Sequence, residues 1–229
     1  MNFDFTDEQK QFAQSVNRFA HAQLEKDALK RAHNPRFPFD VAQLMSARGL
    51  MGITIAEADG GQGGALMDAV IAIEQVAAVC PRSSDVVQFG SFGPIRTFAE
   101  YGTAAQKARW LPDLLAGRAV MSLGMTEPDA GSAATDLKTA AKQDGAHYIV
   151  NGSKVFSTFS PDAQIFLIYV RFGPGLGGIG SVIVERGAKG FQIGQPSSFM
   201  SGEEWCELHF DNCRIAAENV LLEIGRAHV

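Results

Sequence analysis

Leu123-Gly124-Met125-Thr126-Glu127-Pro128-Asp129-Ala130-Gly131-Ser132 and, further along, Asn151-Gly152-Ser153-Lys154-Val155-Phe156-Ser157-Thr158 are the two stretches that decide how this chain is read. The first places two hydroxyls, Thr126 and Ser132, on either side of a Pro/Gly turn whose freed backbone N–H groups could face a polar ligand. In the second, Asn151-Gly152 is the strongest short-range signal for a type I′ turn, so a hairpin is predicted there with a strand after it. Strict alternation then puts Lys154, Phe156 and Thr158 on one face. An aromatic plate two residues from a hydroxyl suits a flat, hydrogen-bonding heterocycle. Phe and Thr are also ordinary strand formers, so it is the two motifs in this order that carry the reading.

Outward from these motifs the pattern changes near residue 120. Before it the spacing is helical: Thr6 with Gln9 forms a capping box, followed by Phe12, Val16 and Phe19 at helical intervals. Asp40 to Arg48 ends at Gly49 as a C-cap, Met67 to Val79 stops before Pro81, and Thr103 to Ala116 carries Trp110, Leu111, Leu114 and Leu115 before Gly117. After it, short β-branched or aromatic runs predict strands at 146–150, 153–159, 163–172, 181–185, 191–193 and 206–210. Helices first and strands second predict two domains of different class, 1–119 and 120–222.

The chain has 229 residues, enough for one large domain or two small ones. Its net charge of −5 and its lack of a clustered Lys/Arg face argue against a nucleic-acid partner. No charged n-region with an apolar stretch opens the chain and no apolar run is of spanning length, so a cytoplasmic, non-membrane setting is expected. Three cysteines give no disulfide framework. Cys206, His209 and Cys213 invite a metal reading, but on one strand the odd separations put His209 and Cys213 across the sheet from Cys206, and no metal is expected. Gly175 to Gly180 fits G-x-G-x-x-G, yet Ser181-Val182-Ile183-Val184 follows as strand material where a dinucleotide site needs a helix, so a loop between antiparallel strands is predicted. The Gly60 to Gly64 cluster lacks the Lys-Ser/Thr sequel of a P-loop and is also read as a loop.

The two motifs together resemble the flavin-contacting segments of the acyl-CoA dehydrogenase family. Further landmarks match in order: Gly49-Leu50-Met51-Gly52, Glu57 with Gly60-Gly61-Gln62-Gly63-Gly64, Tyr101-Gly102-Thr103 with Gln106-Lys107, Leu111-Pro112 with Gly117, and Glu218-Asn219-Val220-Leu221. The resemblance implies an all-α N-terminal domain followed by an antiparallel β-barrel domain that holds FAD. It implies an α,β-desaturation of an acyl-CoA thioester, with electron-transfer flavoprotein as acceptor and a homo-oligomeric enzyme. Leu123, Met125 and Thr126 would hold the flavin ring, Phe156 would pack on it, Thr158 would bond near N5, and Ser132 would touch the CoA moiety or the flavin phosphates. A flavin oxidase or monooxygenase of the same fold is the alternative, since it shares both motifs. An inactive fragment is the other.

Departures from the family pattern are Ala133 where Asp is usual, Phe156 where Trp is common, Ala216 where Pro is usual, and a shortened stretch from Met200 to Leu208. The family continues past Val220-Leu221 into a helical C-terminal domain, and the catalytic base is expected there, outside this chain. The last residues, Glu223 to Val229, back-translate as GAGATCGGAAGAGCACACGTC, which resembles a common short-read sequencing adaptor, so 223–229 is expected to be a non-native tail. Acyl chain length and branching are not legible, because the acyl pocket would lie largely in the absent domain.

Overall fold

The computed structural model describes residues 4–222 and divides the chain into two units; the expected tail at 223–229 lies outside the described residues. One unit comprises the chain up to Glu100 together with Arg109–Arg118, and the other comprises Tyr101–Ala108 together with the chain from Ala119. Among the described residues no helix is long and apolar enough to cross a membrane.

The first unit is helical. Its elements are α1 (Asp7–Gln23), α2 (Ala28–Ala32), α3 (Phe39–Ser46), α4 (Leu66–Ala77) and α5 (Pro81–Ser91), with most of α6 (Pro94–Tyr101) and of α7 (Ala104–Leu115). The predicted capping box is present: Gln9 N–H donates to Thr6 Oγ1 at 3.2 Å and Thr6 N–H to Gln9 Oε1 at 3.0 Å. Helices α5 and α6 were not anticipated. Pro81, read as the stop of α4, also opens α5 at its first turn, where a missing N–H costs nothing. Leu24, Met45, Ile55, Ile71, Ile95 and Phe98 are buried at the centre, and Phe98 meets Trp110 edge-on at 5.9 Å. The Gly60–Gly64 loop folds onto the 52–55 turn through Gln62 N–H to Gly52 O, Gly63 N–H to Ile55 O and Gly64 N–H to Ile53 O. A Cβ on Gly61 would stand 2.2 Å from Ile55 O, so this approach admits only glycine.

The second unit is built on one nine-stranded sheet: β1 (Met121–Gly124), β2 (Ala140–Asp144), β3 (His147–Thr158), β4 (Ile165–Arg171), β5 (Ile179–Glu185), β6 (Phe191–Ile193), β7 (Ser197–Ser198), β8 (Glu204–Ala216) and β9 (Val220–Leu222). The order β6-β8-β3-β2-β4-β5-β9 is antiparallel except at β2–β4, and β1 joins β4 in parallel. Strands β4 and β5 are buried almost throughout, as their unbroken apolar runs require. Phe191 stacks on Phe210 at 5.1 Å and meets Phe166 edge-on at 4.9 Å to fill the interior. Gly175 and a 3-10 turn at Leu176–Gly178 lie in the connection between the antiparallel β4 and β5, as predicted, while Ile179 and Gly180, expected in the loop, already belong to β5.

The hairpin is not at Asn151-Gly152. Asp144 pairs with His147, so the turn is Gly145-Ala146, with Gly145 at φ 59° in the first loop position as a type II′ turn needs. β3 runs straight through Asn151-Gly152, and Gly152 pairs with Phe210. Two bulges break its alternation with β8. Between the pairs Val150–Cys213 and Gly152–Phe210, β8 carries one extra residue; between Lys154–Leu208 and Ser157–Cys206, β3 carries one.

Candidate functional site

The second bulge decides the site. Val155 and Phe156 together face Glu207, and Phe156 takes up the extra residue at φ 57°, in the left-handed region. The predicted common face for Lys154, Phe156 and Thr158 is therefore broken: Lys154 points inward and is fully buried, Phe156 points outward and is 54% exposed, Ser157 is buried, and Thr158 lies half-buried beyond it. An inserted residue shifts every side chain after it to the opposite face.

The two sequence motifs lie side by side and are stitched residue by residue. Ser122 Oγ donates to Thr158 O at 2.7 Å, and Ser157 Oγ donates to Leu123 O at 2.6 Å. Each hydroxyl thus commits its one proton to a carbonyl of the opposite segment. Lys154 Nζ donates to Met125 O at 3.0 Å, and Val155 N–H donates to Thr126 O at 2.9 Å. Leu123, Met125 and Thr126 are half-buried along this seam, so the structure brings five of the six candidate residues together. Ser132 is apart from the seam, on an exposed segment after the tight turn in which Glu127 and Ala130 exchange both backbone bonds.

Behind the seam Glu127 is the hub. Its Oε1 lies 2.8 Å from Lys154 Nζ and accepts Thr139 N–H at 2.9 Å, while Oε2 accepts Lys138 N–H at 2.6 Å. Burial disfavours the charge on Glu127, but the Lys154, Thr139 and Lys138 hydrogen bonds outweigh it and hold the carboxyl below its usual value. Burial likewise draws the Lys154 ammonium below its usual value, against the pull of Glu127. A small cleft of about 190 Å³ opens beside this pair, lined by Glu127, Pro128, Asp129, Lys138, Thr139 and Gly152–Ser153.

Sequence reasoning missed Trp205. It pairs with Thr158 across β3–β8, and its ring lies 4.6 Å from Phe156 and 6.0 Å from Phe199. The signal was available: the stretch from Met200 to Leu208 departs from the family, and its one large aromatic is the residue that meets Phe156. Cys206 and Cys213 both point inward, contrary to the expected opposition, because the first bulge adds a residue at Asn212, φ 48°, between them. His209 is on the other face, half-exposed beside Glu207 at 3.4 Å, and among the described residues no His/Cys/Asp/Glu group is placed to hold a metal ion.

The chain matches the family model for the acyl-CoA dehydrogenase N-terminal domain over residues 6–118 and for the middle domain over residues 122–213. It is 34% identical to acryloyl-CoA reductase (NADH) of Anaerotignum propionicum, over 99% of this chain and 59% of that protein. It is 36% identical to mitochondrial isovaleryl-CoA dehydrogenase of Solanum tuberosum, over 97% of this chain and 55% of that protein. Among solved structures, one described as PigA with FAD and proline superposes with a TM-score of 0.90 at 25% identity, over 98% of this chain and 60% of that one. The chain thus spans less than two thirds of the length of these relatives. With both domain models matched along most of its length, the chain belongs to the acyl-CoA dehydrogenase family of FAD enzymes.

Proposed function

We propose that the protein is the cofactor-binding part of an FAD-dependent oxidoreductase that introduces an α,β double bond into an acyl-CoA thioester. The observation that carries this reading is the seam, where four hydrogen bonds align Ser122–Thr126 with Lys154–Thr158 and the bulge presents Phe156 outward at its edge. These residues fit a flavin: an exposed aromatic face for the ring, half-buried Thr126 and Thr158 hydroxyls for its polar edge, and a backbone held rigid from behind. FAD, when bound, would supply the acceptor for the hydride, which carries the two electrons that leave the substrate.

In this reading Leu123, Met125 and Thr126 hold the ring, Phe156 packs against it and excludes water from one side, and Thr158 donates to its edge. Ser132, on its exposed segment, is assigned to the phosphates of the acyl-CoA or of the cofactor. The base that takes the α-proton is not assigned to a residue of this chain. Electron-transfer flavoprotein as acceptor, a homo-oligomeric enzyme and a cytoplasmic setting belong to the same proposal, the last in keeping with the buried free thiols of Cys80, Cys206 and Cys213. The test is anaerobic addition of acyl-CoA thioesters to the FAD-loaded enzyme from the full-length gene, followed by the visible flavin band. Bleaching by an acyl-CoA that persists until an electron acceptor is added supports a dehydrogenase. Bleaching reversed by oxygen alone would favour an oxidase, and no bleaching by any thioester would contradict the acyl-CoA assignment.

A further inference from the structure

Lys154 has no exposed surface and no role in the chemistry proposed above. A fully buried ammonium carries a large desolvation cost and persists only where it is bonded on several sides. Its two acceptors belong to different parts of one segment: Met125 O lies in the seam, and Glu127 Oε1 lies at the start of the next turn. Through Glu127 the contact extends to Lys138 N–H and Thr139 N–H, the backbone that leads into β2. Thr139 Oγ1 closes the circuit by donating to Ser153 O, one residue before Lys154.

We propose that Lys154 is the positioning residue of the flavin site, its buried ammonium tying Met125 O and the Glu127 carboxylate together so that Leu123–Thr126 keeps the form in which it takes the cofactor. The claim rests on the flavin reading of the seam but reaches a residue that touches no ligand. Without the ammonium, Met125 O loses its donor and Glu127 its counter-charge, and the seam is left to the two serine bonds and the single backbone bond from Val155. The neighbouring Val155 N–H and the two amides on Glu127 then open more often, while the β4–β5 pairing has no reason to change.

The experiment compares wild type, Lys154→Met and Ile183→Ala, the last a core truncation in β5 that lowers stability without touching the seam. Two quantities are read: amide hydrogen exchange of the chain without added cofactor, and the dissociation constant for FAD from quenching of flavin fluorescence. In Lys154→Met the Val155, Lys138 and Thr139 amides are expected to exchange about tenfold faster or more, with FAD affinity weakened by a similar factor, as befits loss of charge-assisted bonds. Ile183→Ala is expected to speed exchange broadly and leave FAD affinity within about twofold of wild type. Exchange at those three amides unchanged, or raised only as broadly as in Ile183→Ala, overturns the proposal. So does a local rise with FAD affinity unaltered. A wild type that takes up no FAD sinks the flavin reading and the flavin role of Lys154 with it, while the exchange pattern still decides whether the clamp exists.

Discussion

Phe156 and Trp205 face each other at 4.6 Å between ring centroids with their planes tilted by 56°, a pair formed by a left-handed residue at a bulge and the strand neighbour of Thr158. Phe156 is still 54% exposed with this partner in place, so much of the side chain remains open to a ligand. A flat cofactor is what such a ring admits.

Replacing Phe156 by Ala is expected to weaken FAD binding about tenfold, equivalent to about 1.4 kcal/mol of ring contact, with little effect on folding because the side chain is half exposed. Phe156→Trp restores the aromatic plate and is expected to bind FAD at least as well as wild type. Fluorescence titration with FAD checks both variants.

The serine stitch is internal to the fold. Ser157 is fully buried, and Ser157→Ala removes the bond to Leu123 O, leaving a carbonyl without its donor. The expected cost is about 1–2 kcal/mol, read as a lower midpoint in urea unfolding with an unchanged slope.

Acid should loosen the site through Glu127. Its folded-state value lies below the ordinary 4.5, so the stability it contributes is complete above 4.5 and is lost as pH falls through the lower folded value. Unfolding measured across this range is expected to show stability falling with pH in wild type, and falling less steeply in Glu127→Gln, where that proton uptake is absent.

Gly152 sits inside β3 at φ 143°, and a Cβ there would stand 2.6 Å from Thr139 Oγ1 and 2.7 Å from Thr139 Cα. Gly152→Ala is expected to destabilise by about 2 kcal/mol or more, from backbone strain and the collision with Thr139 combined. A thermal melt reads it directly.

The helix-then-strand organisation was legible because its signals are local: the Thr6–Gln9 box, and the unbroken apolar runs of β4 and β5. Placement of the turn was not. Asn151-Gly152 and Gly145-Ala146 both carry hairpin chemistry, and the partner β8, distant in sequence, decides which is used by pairing straight across the first. The bulges have the same origin. Nothing within Lys154 to Ser157 requires an extra residue, but the register with Leu208 and Cys206 does, and that register sends Lys154 inward and Phe156 outward. The motif residues at the seam were identified from their likeness to a known family, whereas the Lys154–Glu127 pair and the contact of Trp205 with Phe156 emerge only once the strands are side by side. Helix α5 was missed because Pro81 was read only as the stop of α4, and proline at a first turn serves equally as a start; α6 likewise opens on a proline, Pro94.

The central claim is that the seam between the two motifs is a flavin site. The most direct measurement is titration of the purified chain with FAD, following flavin fluorescence and the visible absorption of protein freed of excess cofactor. The expected result is saturable uptake of one FAD per chain, with altered flavin bands and weakened uptake in Phe156→Ala. A folded chain, strand-rich by circular dichroism, that retains no FAD, or that binds it equally well without the Phe156 ring, would contradict the account.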